Sequence, residues 1–245
     1  MKKNIKYQTK NISEYFSQNR VKWSQFYESE KIVIKKIGIK DTDHILDIGC
    51  GCGGLGLALK ENFGVHDYTG VEINELAAQT AIQLNPEAKI ICGDFLDLSK
   101  SSILNKEFDI VFSLSCFDWN VQFDEMLNSS WKHVKPGGAL VATFRLTCGA
   151  GCDDMSKSYQ CIDEKSGELA AYVVINAEML LNKLKGLSPK SITAYGYFGT
   201  PSPTAVTPYA EICFAAFTIE KKKTPNLKKP ELNLDLPQKI LLPDL

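Results

Sequence analysis

From His44 onward the chain alternates short apolar runs with longer amphipathic stretches. The runs at 45–48, 68–72, 89–92, 109–114 and 139–146 have the length of strands, and the segments between them carry apolar residues at helical spacing. Strands alternating with helices predict a mostly parallel sheet covered on both faces. Asn74 can cap a helix that stops before Pro86, and Asn176 can cap one over 177–185 that stops at Gly186, with Pro189 beyond. Two later runs, 191–198 and 210–219, predict a closing pair of strands joined by the proline-rich loop 199–208.

The flanks have a different pattern. Residues 1–40 form a polar lead with an aromatic stripe at Phe16, Trp23, Phe26 and Tyr27, spaced as one helical face requires, which predicts a helical cap. The main domain is expected over 41–220. Within it, 148–175 contains Gly149, Gly151, Asp153, Asp154 and a turn signal at Asp163–Gly167, and reads as an insertion or lid. The mixture of Lys, Pro and Leu in 221–245 shows no stable period. It predicts an extended tail that lies along the domain or along a second subunit of a homodimer.

Composition narrows the function. Lys and Arg total 28 against 29 Asp and Glu, a net charge of −1, so no overall field draws the chain to nucleic acid or to an anionic membrane. No run approaches the roughly 20 apolar residues of a membrane span, and Met1–Lys10 is too polar for a signal peptide. The expected location is the cytoplasm. The eight cysteines, in apolar runs or without a zinc-like spacing, read as reduced thiols, and no metal site is expected. The three histidines read as structural.

The most informative stretch runs from His44 to Leu59: an apolar strand, a glycine turn and the start of a helix. Glycines let the backbone turn sharply and let a ligand approach the peptide groups. Gly49, Gly51 and Gly54 satisfy a dinucleotide fingerprint, while Gly49, Gly51 and Gly53 satisfy a D-x-G-x-G-x-G pattern. Asp47 favours the second. At the strand end it would repel a pyrophosphate, whereas the ammonium and sulfonium of S-adenosylmethionine suit a carboxylate. Glu72, at the end of the second strand, fits a ribose partner in either kind of site.

With these motifs in order, the chain resembles class I S-adenosylmethionine-dependent methyltransferases of the metal-independent, small-molecule type. The resemblance implies a seven-stranded Rossmann-like α/β sheet of order 3-2-1-4-5-7-6, with strand seven antiparallel and helices on both faces. It implies S-adenosyl-L-methionine as cofactor and S-adenosyl-L-homocysteine as product. By the same resemblance Glu72 accepts the ribose hydroxyls and Ile73 packs on the adenine. Asp94 then accepts from the adenine amino group and the Phe95 backbone reads a ring nitrogen, and Ser113 is a further candidate for cofactor binding.

Ligands of open α/β sheets sit beyond the carboxyl ends of the strands, which here brings Ser113–Asn120 near Arg145. Asp118 is the candidate general base, Arg145 the candidate catalytic anion-binding fork, and Trp119 and Asn120 the candidate acceptor wall. These residues lean toward O-methylation of a small polar or anionic metabolite, such as an intermediate of surface-carbohydrate or secondary biosynthesis. N-methylation of a small molecule and NAD(P)-dependent oxidoreduction are the alternatives.

Overall fold

The alternation of apolar runs and amphipathic stretches folds as the sequence predicts. The computed structural model describes residues 8–226 and 228–241. Residues 1–7 of the expected cap, and 227 and 242–245 of the expected tail, lie outside that range. The elements run α1 (Asn11–Asn19), a 3-10 turn (Trp23–Gln25), α2 (Glu28–Ile37), β1 (Ile45–Ile48), α3 (Gly54–Phe63), β2 (Tyr68–Glu72), α4 (Glu75–Leu84), β3 (Lys89–Cys92), α5 (Phe95–Leu98), β4 (Phe108–Ser113), a 3-10 turn (Phe117–Trp119), α6 (Phe123–Lys132) and β5 (Val134–Thr147). After these come β6 (Tyr159–Asp163), β7 (Glu168–Ala171), β8 (Ile175–Asn176), α7 (Ala177–Gly186), β9 (Ser191–Gly199), β10 (Ala205–Val206), β11 (Ile212–Glu220), β12 (Glu231–Asp235) and α8 (Gln238–Leu241).

The main sheet has the order β12-β9-β11-β5-β4-β1-β2-β3, with β8 paired to the end of β5. Counting β9 and β11 as the sixth and seventh strands, its core is 3-2-1-4-5-7-6, and β11 is antiparallel to both of its neighbours. This is the expected Rossmann-like methyltransferase sheet. Fully buried β1 and β2 carry apolar side chains on both faces, as central parallel strands do. Ile34, Leu55 and Leu59 of α2 and α3 pack in the core cluster on one face, and Trp131 and Leu184 of α6 and α7 in the cluster on the other. The caps hold as expected: Asn74 accepts from the Ala77 amide and Asn176 from the Met179 amide, each at 2.9 Å.

Three expectations are corrected. The tail is not merely extended, because Glu-Leu-Asn-Leu-Asp at 231–235 forms β12, an edge strand parallel to β9. Its period of two was present in the sequence, but five residues amid lysines and prolines gave it little contrast. The aromatic stripe does not share one helical face: Phe16 lies on α1, Trp23 in the 3-10 turn, and Phe26 and Tyr27 in the link to α2. The fifth strand begins at Val134, ahead of Pro136-Gly137-Gly138, with a register shift against β4 between Phe108 and Ile110.

Residues 148–175 contain the β6–β7 hairpin, which β10 extends to a small three-stranded sheet. That sheet grips the first of the described residues. Glu168 accepts from the Gln8 and Thr9 amides at 2.6 and 3.0 Å, and the Thr9 hydroxyl donates to Asp163 at 3.2 Å.

Candidate active site

The turn after β1 is shaped by its glycines. Gly49, Gly51 and Gly53 have φ of +74°, +55° and +74°, a region that side chains with a Cβ rarely adopt. The Gly49 and Cys50 amides donate to the Val71 carbonyl at 2.8 and 3.0 Å and tie the turn to β2. A Cβ on Gly49 would lie 2.7 Å from the Cys116 sulfur, and one on Gly54 only 1.7 Å from the Arg20 carbonyl. Glycine is therefore needed here for close approach as well as for conformation.

Three acids stand around this turn. Asp47 is 3% exposed and accepts from the Tyr68 hydroxyl at 2.6 Å. Burial raises its pKa to about 7 against the opposing pull of Tyr68 and Arg20, and the negative charges of Glu72 and Glu30 add to the rise. Glu72 is also raised by burial, while amides of the turn and of the β2–α4 junction hold it down: Gly51 and Asn74 each donate to it at 2.8 Å. A carboxylate has about four lone-pair sites and the Ile73 amide is a third donor, so capacity for one further donor remains. Asp94 caps α5 by accepting from the Leu96 amide at 2.9 Å.

A single cavity at the carboxyl ends of the parallel strands gathers most of the expected residues. Asp47, Gly49, Gly51, Glu72, Ile73, Asp94, Phe95, Trp119 and Asn120 all line it. Gly53 stands just behind as the N-cap of α3, its α-hydrogen toward Ala81. Ser113 does not line the cavity, because it is wholly buried at the end of β4. The next residues, Leu114, Ser115 and Cys116, take its place. Ser115 is in the left-handed region at φ +51°, and its amide donates to the Thr143 hydroxyl at 2.6 Å. Backbone strain of this kind persists only where the surroundings impose it, and it collects at functional sites.

Asp118 and Arg145 require correction. Neither lines the cavity; they are 5% and 6% exposed and face each other, with Arg145 Nε 3.2 Å from Asp118 Oδ2 and Arg145 Nη1 donating to the Asp118 carbonyl at 2.7 Å. The guanidinium lies 3.7 Å from the Tyr172 ring and 5.4 Å from the Trp119 ring. Asp118 Oδ1 finds no hydrogen-bond partner among the described residues, and burial raises the pKa of this carboxyl despite the arginine. The acid expected as base and the fork expected for the acceptor anion thus occupy each other. The sequence could not reveal this, since Tyr172, which covers the pair, lies in the insertion 27 positions beyond Arg145.

The sequence predicts a cap in the amino-terminal segment, but none of the expected site residues lies there. Ile12, Phe16, Arg20 and Phe26 line the cavity from above, and Met126 lines it from α6. The aromatic stripe was the signal for two of them. Trp23, by contrast, packs edge-on against Phe63 at 5.5 Å, and Tyr27 is exposed. Among the described residues no cluster of His, Cys, Asp and Glu could hold a metal ion, and no helix is long and apolar enough to cross a membrane.

Comparison with known proteins agrees with the fold. Residues 45–138 match a family model described as a methyltransferase domain. The sterol 24-C-methyltransferase ERG6A of Gibberella zeae is 26% identical over 50% of the chain and 33% of its own length. Phosphoethanolamine N-methyltransferase 2 of Caenorhabditis elegans is 26% identical over 64% of the chain and again 33% of its own length. The matched region thus spans about a third of these curated relatives. A solved structure of Haemonchus contortus phosphoethanolamine N-methyltransferase 2, in complex with phosphomonomethylethanolamine and S-adenosylhomocysteine, aligns with a TM-score of 0.60 at 17% identity, covering 86% of this chain and 56% of that one.

Proposed function

Because the chain carries a class I methyltransferase domain, with the family match at residues 45–138 on the expected sheet, we propose that it transfers a methyl group from S-adenosylmethionine to a small molecule. The observation that carries this reading is the convergence of Asp47, the glycine turn, Glu72 and Asp94 on one cavity. Asp47 is the residue that most needs an occupant. A carboxylate buried without a full cationic partner is costly, and an ammonium beside it would offset that cost. Linked phosphates there would add charge of the same sign, which argues against a nicotinamide dinucleotide.

In this reading Asp47 takes the ammonium, Glu72 accepts from a ribose hydroxyl through its spare lone pair, Ile73 packs on the adenine, and Asp94 with the Phe95 backbone reads the adenine edge. The cofactor supplies an electrophilic methyl on a sulfonium, and attack by an acceptor lone pair breaks that carbon–sulfur bond to leave neutral S-adenosylhomocysteine. A sulfonium is already activated, so the reading includes no metal ion. The chain's own task is to hold the reacting atoms in line and keep water away.

The oxygen-directed, anionic acceptor expected from Asp118 and Arg145 loses both of its residues. Besides the residues given to the cofactor, the cavity offers Phe16, Phe26, Trp119 and Met126 as apolar surface and Ser115, Cys116 and Asn120 as polar points. Burial pushes the Cys116 thiol to about 12, so it takes no proton from the acceptor near neutral pH. We therefore propose an acceptor with an apolar body whose reacting atom needs no base, a neutral nitrogen or an oxygen that is already ionised. Calorimetric titration with S-adenosylmethionine and S-adenosylhomocysteine on wild type and Glu72→Ala tests the cofactor. Binding to neither by wild type sinks the reading. A panel of amines, phenols, carboxylates and alcohols, scored for the mass gain of one methyl, tests the acceptor, and gain confined to aliphatic alcohols counts against it.

A further inference from the structure

Among the described side chains that line the cavity, one is a cation, Arg20. Its side chain is 15% exposed, and its one hydrogen bond among the described residues runs from Nη2 to Glu30 Oε1 at 2.9 Å. A guanidinium has five N–H donors, so four remain. The Phe26 and Tyr27 rings lie 4.6 and 5.3 Å from it, which fixes the group without consuming donors.

The backbone at Arg20 rests on the glycine turn, since only the missing Cβ of Gly54 makes room for its carbonyl. Its charge also reaches Asp47, where it favours the ionised carboxylate. The start of α3 is thus flanked by a buried acid and a half-buried cation with donors to spare. Neutralising Glu30 explains only part of Arg20. Glu30 is 0% exposed and also accepts from the Tyr27 amide at 2.9 Å, so it occupies a single guanidinium nitrogen.

An amino-acid end carries both charges on one carbon, an ammonium that suits Asp47 and a carboxylate that suits a planar fork. We propose that Arg20 binds the α-carboxylate of the cofactor's methionine portion opposite Asp47, and so makes the site select a zwitterion. This rests on the cofactor reading above. It also gives the amino-terminal segment a binding task in addition to covering the cavity.

The test compares three ligands by calorimetry: S-adenosylhomocysteine, its decarboxylated analogue, which keeps the ammonium, and 5′-methylthioadenosine, which lacks both charges. For Arg20→Gln, affinity for S-adenosylhomocysteine falls roughly 30-fold, as expected for lost charge-assisted hydrogen bonds, while the other two ligands change less than about twofold. Arg20→Lys falls in between. If Arg20→Gln fails to fold because Glu30 is left unpaired, the double variant Arg20→Gln/Glu30→Gln removes that strain and gives the same pattern. Equal loss for S-adenosylhomocysteine and its decarboxylated analogue, or no loss, overturns the assignment while the cofactor reading stands. A wild type that binds none of the three overturns both.

Discussion

At the scale of single residues, Asp47 ties the fold to its ligand through a proton. In the ligand-free protein its pKa is about 7 against an ordinary 3.8, so folding favours the neutral acid. The stability this gives is complete below pH about 4 and is lost as pH rises to about 7. A cationic ligand favours the ionised form, so affinity for S-adenosylhomocysteine should increase up to about tenfold per pH unit below pH 7 and level off above it. Asp47→Asn should flatten that profile and weaken binding at pH 8, while the ligand-free variant melts no lower than wild type there. Calorimetry across pH and thermal melts read both. The pair of Asp118 and Arg145 gives a second prediction: Arg145→Met leaves a buried carboxyl alone and should cost about 3–5 kcal/mol in denaturant unfolding, whereas Asp118→Leu/Arg145→Met recovers most of it. The sequence showed Asp47, Glu72 and Asp94 because each lies at or just past the carboxyl end of a strand, where position along the chain fixes position in the site. It misplaced Asp118 and Arg145 because the direction of a side chain on the cavity rim depends on what the insertion puts over it.

Elements were legible in proportion to their contrast. The central strands are apolar runs between helices, so their bounds differ little from expectation, and asparagine caps marked two helix starts. β12 was hidden because an edge strand buries one side at most: Leu232 is 43% exposed, and the anchors Leu236 and Ile240, at 8% and 3%, lie just beyond the strand. The strand should therefore be held mainly by these two apolar anchors past its end. Leu236→Ala and Ile240→Ala should each lower stability by about 2 kcal/mol, and Leu232→Ala by under about 0.5 kcal/mol, as read from urea midpoints. Equal effects at all three positions would show that ladder pairing dominates instead. The three-stranded sheet of β6, β7 and β10 was read only as an insertion, since its third strand has two residues and comes from the proline-rich loop.

Over the whole molecule, the cavity is roofed by residues early in the chain and braced by residues from its middle. Glu168, in the insertion, holds the amides of Gln8 and Thr9, and the Ser13 hydroxyl meets that of Thr80 on α4 at 2.8 Å. Removing the first brace with Glu168→Ala should speed amide hydrogen exchange over residues 8–17 roughly tenfold and leave β1 and β4 unchanged, as measured by mass spectrometry. The insertion also backs the cavity wall without lining it. Tyr172 covers Arg145, whose guanidinium also neighbours Trp119 of the cavity wall, and the Val173 amide donates to the Asp118 carbonyl at 2.9 Å. Anyone splicing a foreign loop into this protein thus has a permissive point and a forbidden one. The exposed bend at 164–167 can accept new length without reshaping the wall. Adding or deleting one residue just ahead of Tyr172 would pull its ring off the guanidinium and carry the disturbance directly to Trp119.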